Sequence, residues 1–182
     1  MGQIRKLSLK ARIVVAGTIA IILFVGSLSY FVIGGTNSIN VYYSLDNKSN
    51  DKQLVKVIDT ADKYVYFAIY YFTNSNIASA LIAAKRRGLD VIGIMDRDAS
   101  MNANRATMER LQASGIRILT QRHPEGIMHM KVLVTEHAYA TGSYNWTDSA
   151  TKSNDEVLEI GTNDSVRKKY LEIIKKVLTI NQ

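Results

Sequence analysis

The sequence predicts an α/β fold, a mixed, mostly parallel sheet flanked by helices on both faces as an α/β/α sandwich, preceded by an N-terminal hydrophobic helix. Three observations predict it. Beyond residue 36, stretches of period two alternate with stretches of period 3.6, the rhythm of strands and helices taking turns. Most strand candidates are apolar on both sides of the pleat, as strands covered on both faces are. Two short strand candidates in the second half are separated by almost nothing, which adds one tight hairpin.

The N-terminus comes first. No residue from Ile13 to Ile33 is charged, and these 21 positions reach about 31 Å as a helix, enough to cross a hydrocarbon core. Arg5, Lys6, Lys10 and Arg12 precede the run, and Asp46 and Lys48 are the first charges after it. The positive-inside tendency then keeps the N-terminus in the cytoplasm and places the following domain outside it, periplasmic or at the cell surface. A cleaved signal peptide is the competing reading, with Gly26-Ser27-Leu28-Ser29 as a weak small-x-small site, and it would make the domain secreted. The length of the run favours an uncleaved anchor. Residues 1–36 are assigned to this segment and residues 37–182 to the folded domain.

Within the domain, Ile39 to Tyr43 reads as a strand and Asp51 to Ala61 as a helix carrying Leu54, Val55 and Ile58 inward. Tyr64 to Phe72 is aromatic and β-branched, hence a buried strand. Ser75 to Arg87 puts Ile77, Leu81 and Ala84 on one helical face and stops at Gly88. Leu89 to Met95 is an apolar strand ending at Asp96-Arg97-Asp98, followed by a helix over Ala103 to Ser114 and a strand over Ile116 to Leu119. Met130 to Thr135 and Ala138 to Thr141 form the hairpin, and Val157 to Ile160 is one more strand. Asp164 is expected to cap a terminal helix with Val166, Tyr170, Ile173, Ile174 and Val177 as its apolar stripe.

Composition excludes several classes of chemistry. The net charge is +7, but setting aside the four basic residues of the N-terminal flank leaves +3 for residues 37–182. That suits a polyanionic substrate without being a nucleic-acid signature. The absence of cysteine removes disulfides, a thiol nucleophile and cysteine-bound zinc. The three histidines show no metal-ligand spacing, so no metal and no cofactor is expected. His123 reads as a loop residue at a surface or substrate rim, and His137 as a solvent-facing hairpin residue. The aromatic run Tyr64, Tyr66, Phe67, Tyr70, Tyr71 and Phe72 reads as core, and Lys85-Arg86-Arg87 as a helix end set against the helix dipole.

The chemistry concentrates in His129-Met130-Lys131, followed by Glu136 and by Gly142-Ser143-Tyr144-Asn145. Two residues apart on a strand, His129 and Lys131 share a face, where an imidazole offers a nucleophilic lone pair and an ammonium can neutralise a phosphate oxygen. Ser143 and Asn145 supply a hydroxyl and an amide just past the hairpin, suitable donors for the remaining oxygens. Taken singly, these are a solvated strand end and a turn; together, ordered and followed by Asn154 and Glu156, they point to phosphodiester chemistry.

The stretch resembles the HKD motif of the phospholipase D superfamily. The resemblance extends from Ile39 through Ile180 to the small bacterial single-motif nucleases of that superfamily, including Ala83-Ala84-Lys85-Arg86-Arg87-Gly88-Leu89-Asp90-Val91 and Thr141-Gly142-Ser143-Tyr144-Asn145-Trp146-Thr147. It implies a phospholipase D-like sandwich and makes His129 the nucleophile, with Lys131, Ser143 and Asn145 on the phosphate oxygens and Glu156 orienting the histidine. Glu136 and Gly142 support the motif, with two departures: Glu136 stands where the family has aspartate, and five residues separate it from Gly142 instead of six. The superfamily's ping-pong reaction uses two histidines, and this chain has a single His-x-Lys, so the resemblance implies a homodimer that shares its site. Nucleic acid is the expected substrate. A phospholipase D or cardiolipin-type lipid hydrolase is the alternative, and a non-catalytic membrane-tethered binding protein the second.

Overall fold

The computed structural model describes residues 37–122 and 125–182. The expected anchor in residues 1–36 and the loop residue His123 lie outside the described residues. In order, the elements are β1 (Ile39–Tyr43), α1 (Ser44–Asn47), α2 (Asn50–Asp59), β2 (Tyr64–Ile69), α3 (Ser75–Arg86), β3 (Asp90–Met95), α4 (Arg97–Met101), α5 (Arg105–Ala113), β4 (Arg117–Thr120), β5 (Lys131–Thr135), β6 (Tyr139–Gly142), α6 (Asp148–Lys152), β7 (Val157–Gly161) and α7 (Asp164–Ile180). Among the described residues no helix is long and apolar enough to cross a membrane.

The strands form one seven-stranded sheet in the order β1-β7-β6-β5-β2-β3-β4. It is mixed, as expected, but mostly antiparallel. Only β2–β3 and β3–β4 run parallel, while β1–β7, β7–β6, β6–β5 and β5–β2 are antiparallel. The cause is connectivity. Parallel neighbours need a crossover, and helices provide one only after β2 and β3; the chain then enters β5 from the opposite end and returns through short links.

Both faces are covered. On one, Leu54, Val57 and Ile58 of α2, Ile77 and Leu81 of α3 and Leu111 of α5 pack with Val65, Phe67, Val91 and Leu133 of the sheet. On the other, Ile174 and Leu178 of α7 pack on Ala68, Ile94, Val132 and Val134. The stripe on α7 is rotated from the expected one. Tyr170, Leu171, Ile174, Val177 and Leu178 face the sheet, whereas Val166 and Ile173 are exposed. Asn163, not Asp164, caps the helix by accepting from Val166 N, and Asp164 instead pairs with Arg167 and Lys168. The short helices α1, α4 and α6 were not expected; at four or five residues they are too brief for helical periodicity.

One close approach supports the functional end of the sheet. A Cβ at Gly93 would lie 2.1 Å from the Phe67 ring, so glycine leaves β3 flat beneath that ring. Phe67 then meets Phe72 and Trp146 at centroid distances of 6.2 and 5.3 Å, a packed aromatic floor under the loops described next.

Candidate active site

The C-terminal ends of β2 and β6 and the N-terminal ends of β5 and β7 meet at one edge of the sheet, because antiparallel pairing sets each start beside a neighbour's finish. Lys131 opens β5 and is buried, 7% exposed. Its Nζ donates to the backbone carbonyl of His129 at 3.0 Å and lies 5.2 Å from the centre of the Tyr70 ring. Burial pushes the Lys131 ammonium below the ordinary lysine range, and the nearby Glu156 charge acts in the opposite direction. His129 itself is exposed, its ring 4.8 Å from that of Tyr70. The imidazole and the ammonium therefore share one tyrosine as a wall.

Gly142 ends β6 with φ at 141°, and a Cβ there would sit 2.1 Å from the carbonyl oxygen of Val157. Only glycine lets the chain press so closely on β7. The amides of Ser143 and Tyr144 both donate to that same carbonyl, at 3.1 and 3.4 Å. This turns Ser143 toward Glu156: Ser143 Oγ donates to Glu156 Oε2 at 2.5 Å and accepts from Val157 N at 3.1 Å. Asn145 accepts from Tyr71 N at 3.3 Å through its side-chain oxygen, so its NH2 end is the one able to serve an anion.

Glu156 is buried and held from several sides. Asn154 Nδ2 lies 3.5 Å from Oε1, and Ser44 accepts from the Glu156 amide at 3.0 Å while donating to the Asn154 carbonyl at 2.5 Å. Among the described residues its side chain bonds Ser143 and Asn154, and not His129.

Four residues that the sequence does not mark as part of the site position this edge. Tyr70 walls the pair. Asn104, fully buried, grips the segment after β2 by donating to the Tyr70 carbonyl and accepting from Phe72 N, both at 2.7 Å. Asp96 accepts from Asp98 N and Ala99 N to cap α4, and its other oxygen takes Met128 N at 2.9 Å, one residue before His129. Ser44 fixes Glu156. Asp96 was visible as an aspartate at a strand end and Tyr70 was read as core; Asn104 and Ser44 act through backbone groups, which leave no spacing to read.

Glu136 lies at the far end of β5. It accepts from the amides of Asp62 and, at 3.3 Å, Tyr64, tying the hairpin to the start of β2. Burial pushes its carboxyl up, but the backbone amides of Asp62, Glu136 and Tyr64 outweigh that and leave it below the ordinary range. His137 is exposed, as expected, and bridges Asp62 and Glu136 at 3.1 and 3.2 Å. Among the described residues these three are the one cluster with metal-ligating atoms together, within 4.8 Å, and it lies at the opposite end of β5 from His129.

A family model described as "Cardiolipin synthase, PLD-like domain" matches residues 54–178. The chain belongs to the phospholipase D-like domain family. The fold is similar to that of Nuc from Salmonella typhimurium, a phospholipase D family member, with TM-score 0.74 and 29% identity over 81% of this chain and 97% of that one. NucT from Helicobacter pylori shares the fold at TM-score 0.73 and 24% identity, over 79% and 97% of the two chains. In sequence, it is 31% identical to a phospholipase D of Rickettsia bellii over 66% of this chain and 60% of that protein. It is 24% identical to human mitochondrial cardiolipin hydrolase over 69% of this chain and 49% of that one. The match thus spans only half to three-fifths of these two relatives.

Proposed function

We propose that this phospholipase D-like chain is an endonuclease of little sequence preference, cleaving DNA or RNA through a phosphohistidine intermediate at a site shared by a homodimer. The observation that carries the reading is the pairing of an exposed His129 with a buried cation, Lys131, beside Ser143 and Asn145 at one sheet edge. A ring nitrogen of His129 attacks phosphorus while Lys131, Ser143 and Asn145 hold the non-bridging oxygens. As the P–O bond breaks, the His129 of a second copy gives its proton to the leaving oxygen. Water, losing a proton to that same imidazole, then displaces the phosphoryl group from His129, and both histidines return to their starting states.

Two features support a second copy. The chain has a single His-x-Lys, and an exposed apolar strip of Ile39, Val41, Tyr43 and Val157 runs along β1 and β7 to the residue next to Glu156. In the dimer, Glu156 orients a histidine of the shared site. The uncharged run of residues 13–33 with its basic flank supports an anchor that holds the domain outside the cytoplasm.

Relatives named phospholipase D and cardiolipin hydrolase favour a second reading, a lipid diester as substrate. Assay of the purified protein on plasmid DNA, RNA and phosphatidylcholine or cardiolipin vesicles in parallel separates the two. Nicking of plasmid at vesicle-free conditions is expected; turnover of vesicles alone would overturn the nuclease reading.

A further inference from the structure

The ends of β5, β2 and β3 lie side by side, so the segments attached to them form a row along one sheet edge. His129 precedes β5, Tyr70 and Tyr71 follow β2, and α4 follows β3. At the usual strand spacing this row runs roughly 10–15 Å from His129 toward the outer strand. Tyr71 is 37% exposed, with its ring 4.2 Å from that of Tyr70. At the far end a surface cavity of ≈ 450 Å³ is lined by Arg97, Ser100, Met101, Arg105, Met108, Glu109 and Thr120.

Two features mark the cavity as a place for an anion. Ser100 is 1% exposed, and among the described residues its hydroxyl has no hydrogen-bond partner. Among the described residues Arg97 and Arg105 pair only with Asp98 and Glu109, in exposed ion pairs at 3.0 Å each, the kind that exchanges readily for a better acceptor. Asp96 couples the cavity to the catalytic edge, since one carboxylate both caps α4 and holds Met128 beside His129. The reaction described above uses none of Tyr71, Arg97, Ser100 or Arg105.

We propose that this row is a binding track for an unpaired nucleic-acid strand, a step that rests on the nuclease reading. With the scissile phosphate at His129 and Lys131, a neighbouring base stacks on Tyr71. A phosphate further along enters the cavity, where Arg97 and Arg105 replace their carboxylate partners with its oxygens and the Ser100 hydroxyl donates to it. Duplex DNA keeps its bases paired and stacked, so Tyr71 has nothing to receive. The track therefore favours single strands.

The test compares a short single-stranded oligonucleotide, the same sequence as a duplex, and bis(4-nitrophenyl) phosphate, which is too small to reach the cavity. Wild-type protein is expected to prefer the single strand. The double variant Arg97→Gln/Arg105→Gln is expected to lose about tenfold or more in kcat/KM on the single strand, to lose the preference over duplex, and to keep its rate on the small diester. Ser100→Ala removes a hydroxyl that bonds none of the described residues, so its thermal midpoint should not fall while its single-strand kcat/KM does. Wild-type rates on the oligonucleotide in both variants, or equal wild-type kcat/KM on single strand and duplex, would overturn the track while leaving the nuclease intact. Turnover of the small diester with none of either nucleic acid would overturn both.

Discussion

At the scale of single residues, Glu156 carries the most information because it bonds the serine of the site and its charge acts on the lysine. It accepts from Ser143 Oγ, and its charge opposes the burial that depresses Lys131. Glu156→Gln keeps the shape and removes the charge. Turnover is expected to fall about 10²- to 10⁴-fold, as when a carboxylate that holds a catalytic imidazole is neutralised. The pH profile should move as well. Lys131 must be charged to hold phosphate, and without Glu156 its pKa drops further, so the alkaline limb of kcat/KM should shift to lower pH. A well-folded variant with an unmoved limb and near-normal turnover would reduce Glu156 to a packing role. That His129, Lys131, Ser143 and Asn145 meet at one sheet edge was legible because residue type, order and spacing mark them as a group. Tyr70 was not: by type it resembles Phe67 and Phe72, both buried. What separates it is that β2 ends at Ile69, and the end of a hydrogen-bonded ladder is not written in side-chain polarity.

At the scale of elements, the β5–β6 hairpin shows how a departure from a motif is absorbed. A longer acid with one residue fewer in the turn reaches back to two backbone amides at the start of β2, and so locks the register of β5 against β2. Glu136→Ala leaves those amides without an acceptor and should cost about 1–2 kcal/mol in urea unfolding. Because the folded pKa of Glu136 is depressed, this contribution is present above the ordinary glutamate range and is lost as pH falls through the depressed value. The stability gap between wild type and variant should therefore close in acid. A gap that persisted unchanged below that range would assign the effect to packing, not to the carboxylate. Strand and helix positions were legible from periodicity to within a few residues, but strand direction was not. An apolar run such as Val132-Leu133-Val134 reads the same in a parallel or an antiparallel neighbour, and the difference lies in which end the connection enters. The rotated stripe on α7 has a similar origin, since Val166 and Ile173 suit a helical period as well as Leu171 and Leu178 do, and only the sheet decides between them.

At the scale of the whole molecule, several tyrosines are expected to weaken the fold in alkali. Burial, then hydrogen bonding to Asp90 and to Glu159, raises Tyr66 and Tyr139 to about 12, and burial raises Tyr144 further. The unfolded chain ionises these groups first, near their ordinary value of 10.0, so it releases protons that the folded chain keeps. Stability should be unaffected by them below that value and fall as pH rises toward 12; a flat unfolding free energy across this window would show that the phenols are not held protonated. The proposed shared site makes function at this scale a matter of assembly. If two copies each contribute one His129, then His129→Asn removes nucleophile and general acid together in the homodimer. A mixed dimer of wild-type and variant chains keeps one imidazole, able to attack or to protonate but never both in one turnover. On DNA, whose leaving alkoxide needs a proton, steady-state cleavage should be nearly absent. A nitrophenyl diester leaves without one, so the same mixed dimer should release nitrophenolate in a burst equal to its content of intact histidine and then stall at the phosphohistidine. Differently tagged chains allow the heterodimer to be isolated and tested on both substrates. Half the wild-type rate on DNA would mean that each chain carries a complete site, and light scattering that finds an active monomer would lead to the same conclusion.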